Sequence, residues 1–139
     1  MNMANAIINA EGAVLGRLAS LVAQRLLHGE EITIINAEKS IITGSKDNIL
    51  EKFEARRHRR NPRKGPHQPR MPDRLFRRAV RGMLPYQYPR GRVAYKNLHV
   101  YIGVPTGVDD KRAETYPAKM GTDKFMVLGD IAYLLGARF

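Results

Sequence analysis

Within the first 35 residues an apolar run, an amphipathic helix pattern and a β-branched run follow one another, and this order limits the fold more than any other feature of the chain. Ala6-Ile7-Ile8-Asn9 reads as a short buried strand, and Ala10-Glu11-Gly12 as a turn. Val14, Leu15, Leu18, Leu21, Val22 and Leu26 then recur at helical spacing, with Arg17, Ser20 and Gln24 on the other side, which predicts a helix over 13–28. Gly29 follows at a C′ position that calls for a left-handed residue. Ile32-Thr33-Ile34-Ile35 is a second strand, and Ser40-Ile41-Ile42-Thr43 a further one. Two strands separated by one helix form a βαβ unit, which favours a parallel sheet with a right-handed crossover. The apolar fraction of 43% over 139 residues is enough for one domain with a real core.

Downstream, the pattern becomes basic. Ser45 is placed to cap a second helix with Asp47 in its first turn and Ile49, Leu50 and Phe53 on its apolar face. Arg56, Arg57 and Arg60 take over that face one turn later, while His58 and Arg59 occupy the other sides. A helix resting on a core does not become basic all round, so this end is expected to project from the body. Residues 61–72 read NPRKGPHQPRMP, and four Pro and one Gly exclude helix and central strand. This is an extended arm able to reach roughly 40 Å. Asp73 is expected to cap a third helix ending near Leu84. In that helix Leu75, Phe76, Ala79, Val80 and Met83 oppose Arg74, Arg77, Arg78 and Arg81. Tyr86 to Arg92 reads as a loop, Val93 to Asn97 as a short helical turn and His99 to Gly103 as a strand. Residues 105–121 read as an irregular surface segment, and 125–135 as a strand leading into a short helix. The expected architecture is therefore α/β: a small, mostly parallel sheet with flanking helices and a projecting basic helix-loop-helix extension. It forms a single domain over 1–139, with 56–74 as the extension.

Charge narrows the function. Between Lys52 and Lys96 stand fifteen Lys/Arg and two acids, Glu54 and Asp73, a balance of +13. The rest of the chain holds nine Lys/Arg and eleven acids, a balance of −2, which gives the total of +11. Solvated faces of ordinary domains mix both signs, and this run does not. Arg also outnumbers Lys within it, and the guanidinium fork suits phosphate and base stacking better than solubility alone requires. A polyanion, and specifically a nucleic acid, is the implied partner. A membrane-surface helix is also basic and amphipathic, but the Pro-rich basic arm has no evident role at a bilayer. Thr43-Gly44-Ser45-Lys46 resembles a phosphate-binding turn without its full glycine spacing, and a strand-to-helix turn with a Ser cap explains it.

Catalysis finds no support. The chain has no Cys, so neither disulfides nor cysteine–metal clusters are available, and four His leave little for zinc. The basic region holds no acid pair of the kind two-metal nucleases use, and no Ser-His-Asp arrangement is evident. No enzyme activity, cofactor or small-molecule substrate is expected. The N-terminal stretch lacks the charged n-region of a secretory signal, and no apolar run approaches the roughly 20 residues that span a bilayer. A cytoplasmic location without membrane contact is the expectation. No turn-helix pattern of sequence-specific DNA readers is evident, whereas a basic helix, an arm and a second basic helix in series suit the irregular surface of folded RNA.

Several motifs also carry a family resemblance. Gly16-Arg-Leu-Ala-Ser20, Ile35-Asn-Ala-Glu-Lys39 with Ile42-Thr-Gly44, and Val80-Arg-Gly-Met-Leu-Pro85 resemble the signatures of the large-subunit ribosomal protein thirteen family. Gly91-Arg92 and Leu98-His-Val-Tyr-Ile-Gly103 continue the pattern, which covers roughly three quarters of the chain. The stretch from Gly65 to Arg74 resembles the archaeal and eukaryotic branch, and the lack of a long C-terminal extension favours an archaeal member. The resemblance implies an α/β fold, a structural role in the large ribosomal subunit, binding to large-subunit rRNA, neighbouring ribosomal proteins as partners, and no catalysis. It implies nothing for the tail after Pro105.

The residues expected to touch RNA are Arg56, Arg57, Arg59, Arg60, Arg63, Lys64, His67, Arg70, Arg74, Arg77, Arg78, Arg81, Arg90 and Arg92. Tyr86 and Tyr88 join His67 as stacking candidates. The expected role is that of a structural rRNA-binding protein of the large subunit, located in the ribosome and not forming homo-oligomers. The competing reading is a chromosomal architectural protein, which would bind duplex DNA as well as RNA.

Overall fold

The strand–helix–strand unit forms where the pattern places it. The computed structural model describes residues 5–59, 63–65, 67–116 and 124–139. Strand β1 (Asn5–Asn9) leads into helix α1 (Leu15–Leu27) and strand β2 (Glu31–Ile35), and β1 pairs in parallel with β2 from Asn5 opposite Glu31 to Asn9 opposite Ile35. Helix α1 turns Leu15, Leu18, Ala19, Val22, Ala23 and Leu26 inward. Gly29 behind it has φ +94°, the left-handed conformation its place after the helix predicts.

Strand β3 (Ile41–Thr43) precedes helix α2 (Lys46–His58), and the Ser45 side chain accepts a hydrogen bond from the Asn48 N–H at 3.4 Å, as expected of its N-cap. Then come helix α3 (Pro72–Met83), helix α4 (Pro89–Lys96) and strand β4 (Leu98–Val100). Strand β5 (Glu114–Thr115), strand β6 (Phe125–Val127) and helix α5 (Leu128–Leu134) complete the chain. The main sheet has the order β4-β2-β1-β5, with every pair parallel. Strand β3 does not join it and pairs antiparallel with β6 in a separate two-stranded sheet.

Helix α1 packs on α3 and α4, α3 also reaches β4 and α5, and α5 lies against the turn at 37–39. Ile8, Ile32, Ile34 and Leu98 from the strands meet Phe76 and Val80 of α3 in one fully buried core. Burying a side chain such as Phe76 contributes about 1.5–3 kcal/mol relative to leaving it in water.

Four expectations are corrected. Pro72 is the first residue of α3 rather than the end of the arm, so Met71 is the N-cap and Asp73 lies inside the first turn without capping. A proline's fixed φ and missing N–H suit that first position. The loop expected over 86–92 is helical from Pro89, for the same reason. The strand expected over 99–103 ends at Val100. The segment expected to be irregular contributes β5, which pairs with β1 at Ile8–Glu114 and Asn9–Thr115. Arg25 explains that edge. Its guanidinium bonds Glu114 (Nη1–Oε2 2.7 Å) and Glu30, which ties β5 to α1. Hydrogen bonds from Arg25 and then from Tyr116 hold the Glu114 carboxyl below its ordinary range, and the same bond to Glu114 pushes the Tyr116 phenol up. Of the arm, Asn61, Pro62 and Pro66 lie outside the described residues, and Arg63-Lys64 forms a turn.

The Asn36-Ala-Glu-Lys39 motif is a structural corner. Asn36 is buried with φ +56°, donates from Nδ2 to Asn9 Oδ1 at 3.2 Å, and its N–H donates to the Gly103 carbonyl. Glu38 Oε2 accepts from the Gly103 N–H at 3.0 Å, and Ser40 Oγ donates to the Ala37 carbonyl at 2.8 Å. The C-terminal edge of a parallel sheet is where α/β proteins often hold ligands; here the polar groups of that edge satisfy one another.

Candidate nucleic-acid interface

The basic third of the chain sits on the C-terminal half of α2, on the arm and on α3 and α4. In α2 the buried residues, Ile49 and Phe53, belong to the first two turns. Beyond them Arg56, His58 and Arg59 are exposed and Arg57 is half-buried. The Arg56 guanidinium lies 5.6 Å from the Phe53 ring centre. Glu54 answers both Arg57 (3.7 Å) and His58 (3.3 Å), so one of the two acids in the region is already committed within its own helix. Such exposed pairs contribute little to stability. Arg60 lies outside the described residues. Arg63, Lys64, His67 and Arg70 are exposed along the arm, and the Arg70 guanidinium lies beside Gly136 at the end of α5.

Helix α3 separates its two sides as the spacing predicts: Leu75, Phe76 and Val80 are buried, while Arg74 and Arg78 are exposed. Arg77 and Arg81 are only half-exposed, for a reason the sequence pattern does not carry. The Arg77 guanidinium lies 4.7 Å from the centre of the Tyr95 ring, and Arg81 lies 4.1 Å from that of Tyr86. The two rings meet edge to face, 5.6 Å between centres at 86°. A guanidinium over a ring keeps its N–H edge available while its plane is fixed. Arg77 Nε and, four residues earlier, Asp73 Oδ1 are buried without a hydrogen-bond partner.

Helix α4 completes this lattice. Arg90 stands 5.9 Å from the Tyr88 ring centre, and Tyr88 is 60% exposed. Arg92 spends part of its fork on the chain itself, with Nε on the Tyr86 carbonyl (3.2 Å) and Nη2 on that of Gln87 (2.9 Å). The Tyr86 ring, already met by Arg81 and Tyr95, is 37% exposed, whereas Tyr88 is the more open of the two. The structure thus brings Arg77 and Arg81 together on the paired rings of Tyr95 and Tyr86, ties Arg92 to the adjoining turn, leaves Arg90 beside Tyr88, and sets Arg56 and Arg78 on one groove between α2 and α3.

Tyr95 is the residue the sequence reading missed. Its signal was its place in a Pro-initiated helix, which groups it with Arg92 one turn earlier. Among the described residues no cluster of three His, Cys, Asp or Glu could hold a metal ion, and no helix is long and apolar enough to cross a membrane.

Fold and charge together define a class: a small, mostly parallel α/β protein with one strongly basic third, four of whose described arginines lie over aromatic rings. The family model for ribosomal protein L13 matches residues 4–106. The large ribosomal subunit protein uL13 of Methanosphaera stadtmanae is 53% identical over 139 aligned residues, covering 96% of this chain and 98% of that protein. Those of Methanocaldococcus jannaschii (48%; 96% and 98%) and Methanopyrus kandleri (48%; 94% and 86%) are similar throughout. The chain belongs to the ribosomal protein L13 family, and these relatives are archaeal, in line with the branch that Gly65 to Arg74 resembles.

Proposed function

We propose that this chain is a structural constituent of the large ribosomal subunit that binds and stabilises large-subunit rRNA. The observation that carries this reading is the Arg–Tyr lattice of α3 and α4 within a region of +13 balance, in a chain whose relatives are named as large-subunit proteins. The α/β body supplies a stiff mount. On it, guanidiniums already stacked on Tyr95, Tyr86 and Tyr88 lose little further freedom when they take a phosphate, so more of each charge-assisted bond appears as affinity. Neutralising phosphates lets RNA segments that repel one another pack side by side. Arg56, Arg57, Arg59, Arg63, Lys64, Arg70, Arg74 and Arg78 extend the contact beyond the lattice, Arg60 is assigned with them, and His67 is assigned a stacking role. The role is mechanical rather than catalytic, needs no cofactor, and places the protein in the cytoplasmic ribosome beside other large-subunit proteins.

Sedimentation of lysate tests this. The protein should co-migrate with the large subunit and remain there through a moderate salt wash. Migration with the nucleoid, together with equal affinity for duplex DNA and rRNA fragments, would replace this reading with a chromosomal architectural role.

A further inference from the structure

Between the start of α1, strand β3, α2 and α3 lies a groove of about 840 Å³ whose apolar walls the assigned arginine contacts do not explain. Its walls are apolar, with Leu15, Ile49, Phe53, Leu75, Ala79 and Met83 among them. Its cations are Lys52, Arg56 and Arg78, and among the described residues no acid lines it. Asn48 and Gln68 add neutral amides that can both donate and accept. The volume falls within the range of small-molecule sites.

Two glycines point the same way. Gly16 in the first turn of α1 and Gly82 in the last turn of α3 both line the groove. A Cβ at either would meet no atom within 4 Å. Glycine is a poor helix residue, and packing within the fold gives no reason for it at these places. What the two share is the groove, where the missing side chains leave room for an occupant against helix backbone.

We infer that the groove takes one unstacked nucleotide of RNA, its base between the apolar walls and its phosphate on Arg56 and Arg78. This rests on the rRNA-binding reading above. Extruded bases are what proteins read in folded RNA: an apolar slot accepts the base, amides such as Asn48 and Gln68 meet its edge, and a cation meets the phosphate. The one-signed rim favours a phosphate-bearing occupant, and Arg56 and Arg78 belong to the same basic run as the proposed RNA face. An acidic protein segment is the competing occupant.

The test uses the full chain with protein-free fragments of large-subunit rRNA. Gly16→Leu and Gly82→Leu each place a side chain at the groove without touching a charge, and Gln24→Leu, exposed on α1 and outside the groove lining, serves as control. Each leucine variant should lose about tenfold or more in affinity at fixed salt, the order of one lost base contact. The slope of log K against log salt should become shallower by about one at most, since only the excluded nucleotide's phosphate contact is lost with its base. Wild-type affinity in the leucine variants, or a loss accompanied by a slope shallower by several phosphates, overturns the proposal. Unchanged affinity for naked RNA with failure to enter large subunits assigns the groove to a protein segment instead. An independent measurement covers the event that the leucine variants misfold. The chain has no cysteine, so Ala79→Cys gives a unique thiol in the groove. In a saturated complex with 4-thiouridine-substituted RNA it should cross-link to an unpaired nucleotide, and no cross-link in that complex overturns the proposal. If wild type shows no salt-dependent RNA binding at all, the rRNA reading itself fails, and the slope of the wild-type titration separates that failure from an empty groove.

Discussion

Among the described glycines, Gly91 should be the one where an added methyl does most damage. A Cβ at Gly91 would stand 2.0 Å from the Pro85 carbonyl oxygen, 2.3 Å from its carbon and 2.9 Å from the Tyr86 nitrogen. All three are backbone atoms, so no side chain can swing aside. To reach ordinary contact, at about 3.4 Å, the turn at 85–88 must move by more than 1 Å away from α4. That turn is held by the Tyr88 N–H on the Pro85 carbonyl (3.0 Å), by the Gly91 N–H on the Tyr88 carbonyl (3.1 Å), and by Arg92 on the Tyr86 and Gln87 carbonyls. Overpacking that side chains can absorb costs about 1–3 kcal/mol. Here hydrogen bonds must break as well, at about 1 kcal/mol each, so a loss of about 3–5 kcal/mol is expected. Out of a total stability of about 5–15 kcal/mol for a domain, this lowers Tm by about 10–20 °C. Thermal and urea denaturation of Gly91→Ala beside Gly82→Ala measures it. The control adds the same methyl where no atom lies within 4 Å and should be neutral or slightly stabilising. A Gly91→Ala variant melting within about 2 °C of wild type would refute the close approach of α4 to the turn.

Phe76→Ala, at a position with no solvent exposure beneath α1, should cost about 3–5 kcal/mol by urea titration. A double-mutant cycle of Arg77→Gln and Tyr95→Leu should return a coupling of about 0.5–1 kcal/mol in stability, with each single variant also weakening RNA binding; zero coupling would remove the stacked lattice. The Arg25–Glu114 bond sets a pH dependence. The Glu114 carboxyl titrates below its ordinary range in the folded state, so the stability it contributes is present above that range and is lost as the pH falls through and below it. Wild type should therefore melt above Glu114→Gln at neutral pH, by a small margin because the pair is partly open to solvent, and the two should converge in acid. Changing Arg74, Arg77, Arg78 and Arg81 together to Gln should weaken RNA binding far more than the same four-charge loss at Lys111, Arg112, Lys119 and Lys124, of which Lys119 lies outside the described residues. Equal losses would deny a localised site.

The first half of the fold was legible because its signals are local and agree. The period of α1, the β-branched run of β2, Gly29 behind the helix and Ser45 ahead of α2 each follow from the residues in their own window. What escaped depends on partners distant in sequence. Strand β5 has two residues and exists because β1 offers an edge and Arg25 offers a charge, 89 residues away. Pairing of β3 with β6 rather than with the main sheet has no local signal at all. The differences at Pro72 and Pro89 share one cause: a proline that would break a helix from within can also begin one, and its own window does not say which. Within the candidate interface, the opposed sides of α3 could be read from spacing. The commitment of Arg77 and Arg81 to tyrosine rings could not, since it needs α4 folded against the same helix. The groove was likewise out of reach, because its lining joins residues from Val14 to Met83.

Whether stacked and exposed arginines hold rRNA by its phosphates is decided by titrating the full chain onto large-subunit rRNA fragments at several salt concentrations. With some 6–10 phosphates engaged, affinity should fall about 10³–10⁵-fold between 50 and 200 mM salt on the duplex scale, and somewhat less steeply for single-stranded contacts. A nearly flat dependence, with affinity retained at 200 mM, would contradict the account.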